Sequence, residues 1–134
     1  MAWTLELNSE LQIIDLIFKG NVTGPEAREA TSKAIALHHE YGILRYLVDT
    51  IEMESAPPIK NIYNLPTEQY DSEGLSHQAH IALVEPRSEI EKEATQFYQS
   101  VCLHRGWIVQ LFQSRDEAIK WLMSADLSNK QGTD

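Results

Sequence analysis

The sequence is poor in cysteine and in basic residues, and each shortage excludes a class of protein. Cys102 is its one cysteine, which rules out an internal disulfide and a cysteine-based zinc cluster. Eleven Lys and Arg stand against 20 Asp and Glu, so the net charge is −9. A chain of this charge has no general attraction for phosphate backbones or anionic lipid surfaces. We therefore expect no nucleic-acid partner.

Long apolar runs and phosphate-binding glycine loops are also missing. No apolar run approaches membrane-spanning length, and "MAWTLELNSE" at the start has neither the basic residues nor the apolar core of a signal peptide. The segment "GNVTGPE", at residues 20–26, has two glycines but no basic residue placed to bind phosphate. We expect a cytoplasmic protein without a membrane span.

The composition that remains is typical of one globular domain. Of 134 residues, 43% are hydrophobic and 23% are charged. This length is enough to bury a core. We predict a single domain over residues 1–125, followed by a polar C-terminal tail at 126–134.

The hydrophobic pattern predicts an N-terminal hairpin and then alternating helices and strands. "WTLEL" and "LQIIDLIFKG" form the hairpin, and the first helix opens with a capping box of Thr23 and Glu26 and ends at Gly42. Three short apolar strands follow, "ILRYLVD", "HIALVEP" and "WIVQLFQ". The fold class is therefore α/β, a mixed sheet of four or five strands in which the hairpin leads into a right-handed β-α superhelix of about four helices.

The sequence signals for the later helices are less regular than those for the first helix. A short helix around "PIKNIYNL" is ended or kinked by Pro66, and "TEQYDSEGLSHQA" is irregular. The next helix places its apolar face at Ile90, Ala94, Phe97 and Val101. Ser114 begins a second capping box in the last helix.

This order of elements resembles the SpoIIAA-like branch of the STAS superfamily. The resemblance depends on "FKGNVT" before the first helix, "YLVD" in the third strand and the ending "HRGWIVQLFQSRDEAIKWL", and it covers roughly residues 3 to 124. The branch has the anti-sigma-factor-antagonist fold, is grouped with Sec14-type lipid-binding domains and is mostly without assigned function. It implies a non-catalytic regulatory module that acts through protein partners, with a small apolar or lipid-like ligand and no cofactor.

The resemblance also implies a phosphorylation switch after the third strand. In the antagonists, this loop carries an Asp-Ser-Ser-Gly type motif in which a kinase phosphorylates one serine. Here the segment is "DTIEMESAPP", where Asp49 matches but the serine pair and the glycine are absent. Thr50 and Ser55 are the candidate phosphoacceptors. We favour the alternative, in which Ser55 is a helix N-cap and Asp49 caps the end of the strand.

A second class of function is a small enzyme in which Asp49 acts with His77 or His80. Functional groups of α/β folds lie at the carboxyl ends of parallel strands, as Asp49 is predicted to do. The residues of the candidate functional loop or pocket are thus Asp49, Met53, Tyr63, His77 and His80. Since the histidines show no metal-binding motif and Cys102 has no activating partner in the pattern, we predict no metal site and favour the non-catalytic module.

Apolar residues on both faces of two strands predict association. "LQIIDLIF" and "ILRYLV" present large apolar side chains in both directions, more than one layer of helices covers. We predict a homodimer held by apolar surface, as a two-fold pair is the commonest oligomer. The predicted contributors are Trp3, Ile14, Leu16 and Phe18.

Overall fold

Five strands form one mixed sheet in the order in which they occur along the chain. The structure, a computed structural model, describes residues 2–125. The elements are β1 (Trp3–Asn8), β2 (Ile13–Asn21), α1 (Gly24–Tyr41), β3 (Arg45–Ser55), α2 (Ile59–Asn64), a π-helical turn (Leu65–Gln69), α3 (Tyr70–Ser72), β4 (His80–Val84), α4 (Glu89–His104), β5 (Ile108–Phe112) and α5 (Arg115–Ser124).

The pairing confirms the predicted α/β class and the N-terminal hairpin. β1 and β2 are antiparallel, whereas β2, β3, β4 and β5 are parallel neighbours. No helix within residues 2–125 has both the length and the apolar character needed to cross a membrane. The predicted polar tail, 126–134, lies outside the described residues.

The ends of α1 form as the sequence predicts. The backbone N–H of Glu26 donates to Thr23 Oγ1 at 3.2 Å, and the Thr23 N–H donates to Glu26 Oε1 at 3.0 Å. This second bond lowers the pKa of the Glu26 carboxyl, because it favours the charged form. At the other end Gly42 has a φ of 70°, and its N–H donates to the carbonyl of His38.

β3 is longer than predicted and reaches Ser55. It pairs with β4 only as far as Asp49 opposite Val84, and it then continues beside β2, with Glu52 opposite Lys19. Two register shifts between β2 and β3 accommodate extra residues in β3. The predicted loop "DTIEMES" is therefore strand. The predicted N-cap at Ser55 is wrong, because α2 begins after Pro58 without a side-chain cap.

α2 ends at Asn64, two residues before Pro66, but the chain stays helical. The backbone widens into the π-helical turn around Pro66 and then continues through α3, so the first part of the predicted irregular segment is helical. Gln69 fixes this turn on α1, since its Nε2 donates to the Arg28 carbonyl at 2.9 Å and to Ser32 Oγ at 3.0 Å.

The buried face of α4 is one residue out of register with the predicted one. Ile90 is 75% exposed, whereas Thr95, Tyr98 and Cys102 are the buried residues of this helix. Two of these are polar by type but are bonded inside the protein: Tyr98 to the Tyr70 hydroxyl and Thr95 to the Lys92 carbonyl. A search for apolar residues at helical spacing misses such positions, because these residue types are polar.

The two faces of the sheet are covered unequally. One large core packs α1, α2 and α4 against one face, and a smaller core packs α5 against the other. Trp3, Ile14, Leu16 and Phe18 all belong to the large core and are at most 9% exposed. The four residues predicted to hold a homodimer are thus covered by helices of their own chain, and they do not form an exposed apolar surface.

Arginine side chains fasten α5 to the sheet at both ends. Arg115 donates from Nη2 to Asp15 Oδ2 at 2.6 Å and from Nη1 to Asp49 Oδ2 at 2.9 Å. The bond to Asp15, the larger effect, and the bond to Asp49 raise the pKa of the guanidinium. At the other end Arg45 donates to the carbonyls of Leu122 and Ala125, both at 2.9 Å. A positive charge at the C-terminus of a helix is favourable, because it interacts with the negative end of the helix dipole.

Replacement of Arg115 by Met should lower the free energy of unfolding by about 2 kcal/mol, because two nearly buried carboxylates lose their shared partner. Arg87→Met is the control, since Arg87 is exposed, and should change it by less than about 0.5 kcal/mol. Urea unfolding followed by tryptophan fluorescence measures both. Equal stability of the two variants would mean that the ion pairs do not hold α5.

Candidate functional site

An apolar cavity lies between the sheet and the helices of the large core. Its volume is about 90 Å³. The strands contribute residues near their carboxyl ends, among them Phe18, Met53 and Leu83, and the helices contribute Ile62 from α2 and Ala94 from α4. Ligand sites of open α/β sheets lie at this edge. The cavity is therefore the candidate functional site.

Four hydroxyl groups on the cavity wall are bonded within the protein. Thr50 Oγ1 donates to the Val84 carbonyl at 2.7 Å, and Thr95 Oγ1 donates to the Lys92 carbonyl at 2.8 Å. The hydroxyls of Tyr70 and Tyr98 bond to each other, and burial raises the pKa of both, so both are neutral. With these groups engaged, the wall behaves as an apolar surface except at Thr31, which also lines it.

The rim of the cavity, defined by Ala56, Pro57 and Thr95, connects β3 to α2 and α4. The backbone N–H of Ala56 donates to Glu91 Oε1 at 2.7 Å, which ties the β3–α2 connection to the first turn of α4. On its other side α2 lies close to α1. A Cβ atom on Gly24 would be 2.4 Å from Asn61 Nδ2, so the glycine permits this approach.

Some of the predicted site residues meet at this cavity. Thr50 and Met53 line it, and Ser55 precedes its rim, where Ser55 Oγ donates to Asn21 Oδ1 at 2.9 Å. Tyr63 lies on the outer side of α2, 42% exposed, and its hydroxyl accepts a hydrogen bond from Arg105 Nη2 at 3.3 Å. Of these predicted residues, Thr50 and Met53 therefore share the cavity, and Tyr63 lies outside it.

Asp49 is not brought together with the predicted histidines. His80 begins β4 opposite Arg45. Asp49 is four residues further along β3, about 13 Å away at the usual rise of a strand. Asp49 instead bonds Arg115 and, through Oδ1, the N–H of Ile51 at 2.9 Å. The loop before β4 opens at the amino edge of the sheet, so the structure does not form the Asp49–histidine pair that the enzyme alternative needs.

His77 has a different set of contacts at that opposite edge. Its ring stacks on Trp107 with the ring centres 3.6 Å apart, and its nitrogens lie 3.3 Å from Asp71 Oδ1 and 3.2 Å from the Gly106 carbonyl. These contacts join α3 to the turn before β5. Among residues 2–125, no group of three His, Cys, Asp or Glu is arranged to hold a metal ion.

Cys102 is a core residue of α4, as its place in the pattern predicts. It is fully buried, and burial raises the pKa of its thiol to about 12. A thiol in this state is a poor nucleophile.

Sequence reasoning missed the residues that define the cavity from the helices. Thr95 and Tyr98 lie outside the predicted apolar face of α4, and Tyr70 lies in the segment predicted to be irregular. Tyr70 and Tyr98 are 28 residues apart, so no local spacing connects them. The one signal in the sequence is the large aromatic side chain of each, which is typical of buried positions.

Comparison with known proteins places the fold. No model of a known protein family matches the sequence, and a search of curated proteins gives no match. Among solved structures, the chain is similar to an uncharacterized protein from the DUF3478 family with a SpoIIAA-like fold from Shewanella loihica PV-4. The similarity has a TM-score of 0.55 at 14% identity and covers 90% of this chain and 92% of that one. The predicted SpoIIAA-like fold is confirmed.

Proposed function

We propose that the protein is a non-catalytic regulatory module that binds a small apolar ligand in the cavity and acts through protein partners. The observation that carries the proposal is the cavity itself, because an apolar wall at the carboxyl edge of parallel strands is where such a ligand binds. The SpoIIAA-like fold of the neighbour is compatible with this function.

The ligand part of the proposal is tested with n-hexanol as the probe. Ala94→Leu adds apolar volume to the cavity wall and should weaken hexanol binding at least about fivefold, because the new side chain occupies the site. Gln96→Leu adds a leucine at an exposed position of the same helix and should leave binding unchanged. Amide chemical shifts in a hexanol titration measure both affinity and location. Equal affinity of the two variants would place hexanol outside the cavity.

A surface for protein partners lies beside the rim. Ile59 and Tyr63 on α2 are 52% and 42% exposed, and Ile90 at the start of α4 is 75% exposed. Ile90 adjoins Glu91, and Ile59 follows the rim by two residues, so both isoleucines lie near the bond between Ala56 and Glu91. Exposed apolar side chains next to a ligand site support contact with a partner. The homodimer stays a prediction and is assigned to this surface.

We predict that sedimentation equilibrium at micromolar concentration gives twice the chain mass of 15.3 kDa. The double replacement Ile59→Ser and Ile90→Ser should return the mass to one chain, because it removes the apolar contact. Met123→Ser is the control, since Met123 is exposed on α5 at the opposite face. A monomeric wild-type protein would exclude the homodimer.

Regulation of this module by phosphorylation is proposed at Ser55. The Thr50 hydroxyl is buried and bonded to Val84, so Ser55, next to the rim, is the accessible candidate of the two. A phosphate there would add negative charge close to Glu54 and Glu91, and repulsion would strain the bond between Glu91 and Ala56.

Ser55→Asp should therefore weaken hexanol binding at least about threefold, because the new carboxylate repels the acids that fix the rim. Ser55→Asn is the matched control, with a neutral side chain of similar size. The same chemical-shift titration measures both variants. If Ser55→Asp binds hexanol and every identified partner as the control does, Ser55 is not a switch.

A further inference from the structure

Two carboxylates lie against residues that define the rim of the cavity. Glu91 Oε1 accepts from the Ala56 N–H at 2.7 Å, and Glu85 Oε2 lies 3.4 Å from Thr95 Oγ1, whose proton goes to the nearer Lys92 carbonyl. Glu85 is held from its other side, since its Oε1 accepts from Gln113 Nε2 at 2.9 Å. The charged side chains that lie against these rim residues are thus both acids.

Nearby cations offset these acids only in part. Lys92 lies on α4 between Glu91 and Thr95, and its Nζ bonds Glu89 Oε2 at 2.9 Å. This bond, and to a smaller degree the attraction of Glu85, raise the pKa of the lysine. Along the connection that contains Ala56 and Pro57, Glu52 and Glu54 precede and Lys60 follows, all three exposed. With Glu93, Arg87 and Lys19, which lies opposite Glu52, six glutamates stand against four cations, so this end of the molecule is negative overall.

The interior of the cavity is unfavourable for a charged group of a ligand. Apart from the Thr31 hydroxyl the wall is apolar or its hydroxyls are already bonded, so a charge inside would lose its hydration and gain one partner at most. The apolar part of a ligand therefore fills the cavity, and any polar end group lies at the rim beside Glu91 and Glu85.

We infer that the ligand is an apolar molecule whose end group is neutral or cationic, and that the rim rejects carboxylates and phosphates. The inference rests on the proposed function, because it concerns the ligand of the same cavity. Repulsion by two fixed carboxylates near a poorly hydrated site lowers the affinity for an anionic end group by about tenfold or more.

Three probes with one six-carbon tail test this selectivity: n-hexanol, n-hexylamine and sodium hexanoate. At pH 7.5 and low salt the amine is a cation and the hexanoate an anion. We expect hexylamine to bind within about fivefold of hexanol or more tightly, and hexanoate to bind at least about tenfold more weakly. Chemical-shift titration of the wild-type protein gives all three affinities.

Glu91→Gln identifies the source of the selectivity. The glutamine keeps an oxygen to accept the Ala56 N–H and removes the charge. It should improve hexanoate binding at least about threefold and leave hexanol binding unchanged. Glu93→Gln, at an exposed position two residues further on, is the matched control and should change neither affinity. Urea unfolding shows whether both variants retain the wild-type stability.

The results separate this inference from the proposal on which it rests. Hexanoate binding as tight as that of hexanol would overturn the selectivity and leave the cavity as an apolar site. An unchanged ratio of hexanoate to hexanol affinity in Glu91→Gln would overturn the role of Glu91. Failure of all three probes to bind would overturn the proposed ligand function as well.

Discussion

The unequal length of β3 and β4 is the constraint on which the site depends. β4 has five residues and β3 has eleven, so β3 loses its neighbour on that side after Asp49. Pro86, two residues after β4, has no N–H with which to continue a ladder. The Thr50 hydroxyl donates a hydrogen bond to the Val84 carbonyl, and α2 and α4 close the remaining space. The cavity lies where the sheet becomes narrower and the helices replace it.

Elements with local signals could be predicted from the sequence, and elements that depend on distant partners could not. The hairpin and the caps of α1 follow from residues within a few positions of each other. The extension of β3 contains Glu52 and Glu54, which favour a loop in sequence terms, and it forms because the second half of β2 pairs with it. The face of α4 was predicted one residue away because Thr95 and Tyr98 are polar by type.

The candidate site shows the same limit at the level of side chains. Thr50 and Met53 belong to the predicted segment and do line the cavity, whereas Asp49 points to the other face of the sheet. Neighbouring residues of a strand face opposite sides of the sheet. A shift of one position along β3 therefore moves a side chain from the cavity to the face that α5 covers. The partner of Asp49 is Arg115, 66 residues later, and no spacing in the sequence connects them.

The two faces of the sheet therefore use different physical interactions. On the α5 face, the ion pairs of Asp15 and Asp49 with Arg115 hold a single helix. Asp49, the residue that matches the motif of the antagonists, therefore has a structural contact here. On the other face, apolar packing leaves a cavity whose charges lie only at the rim. The connection from Ser55 to Pro57 lies beside the cavity and away from the ion pairs. The change of charge proposed at Ser55 would therefore reach the cavity through the bond between Glu91 and Ala56, and it would leave the ion pairs of Arg115 that hold α5 unchanged.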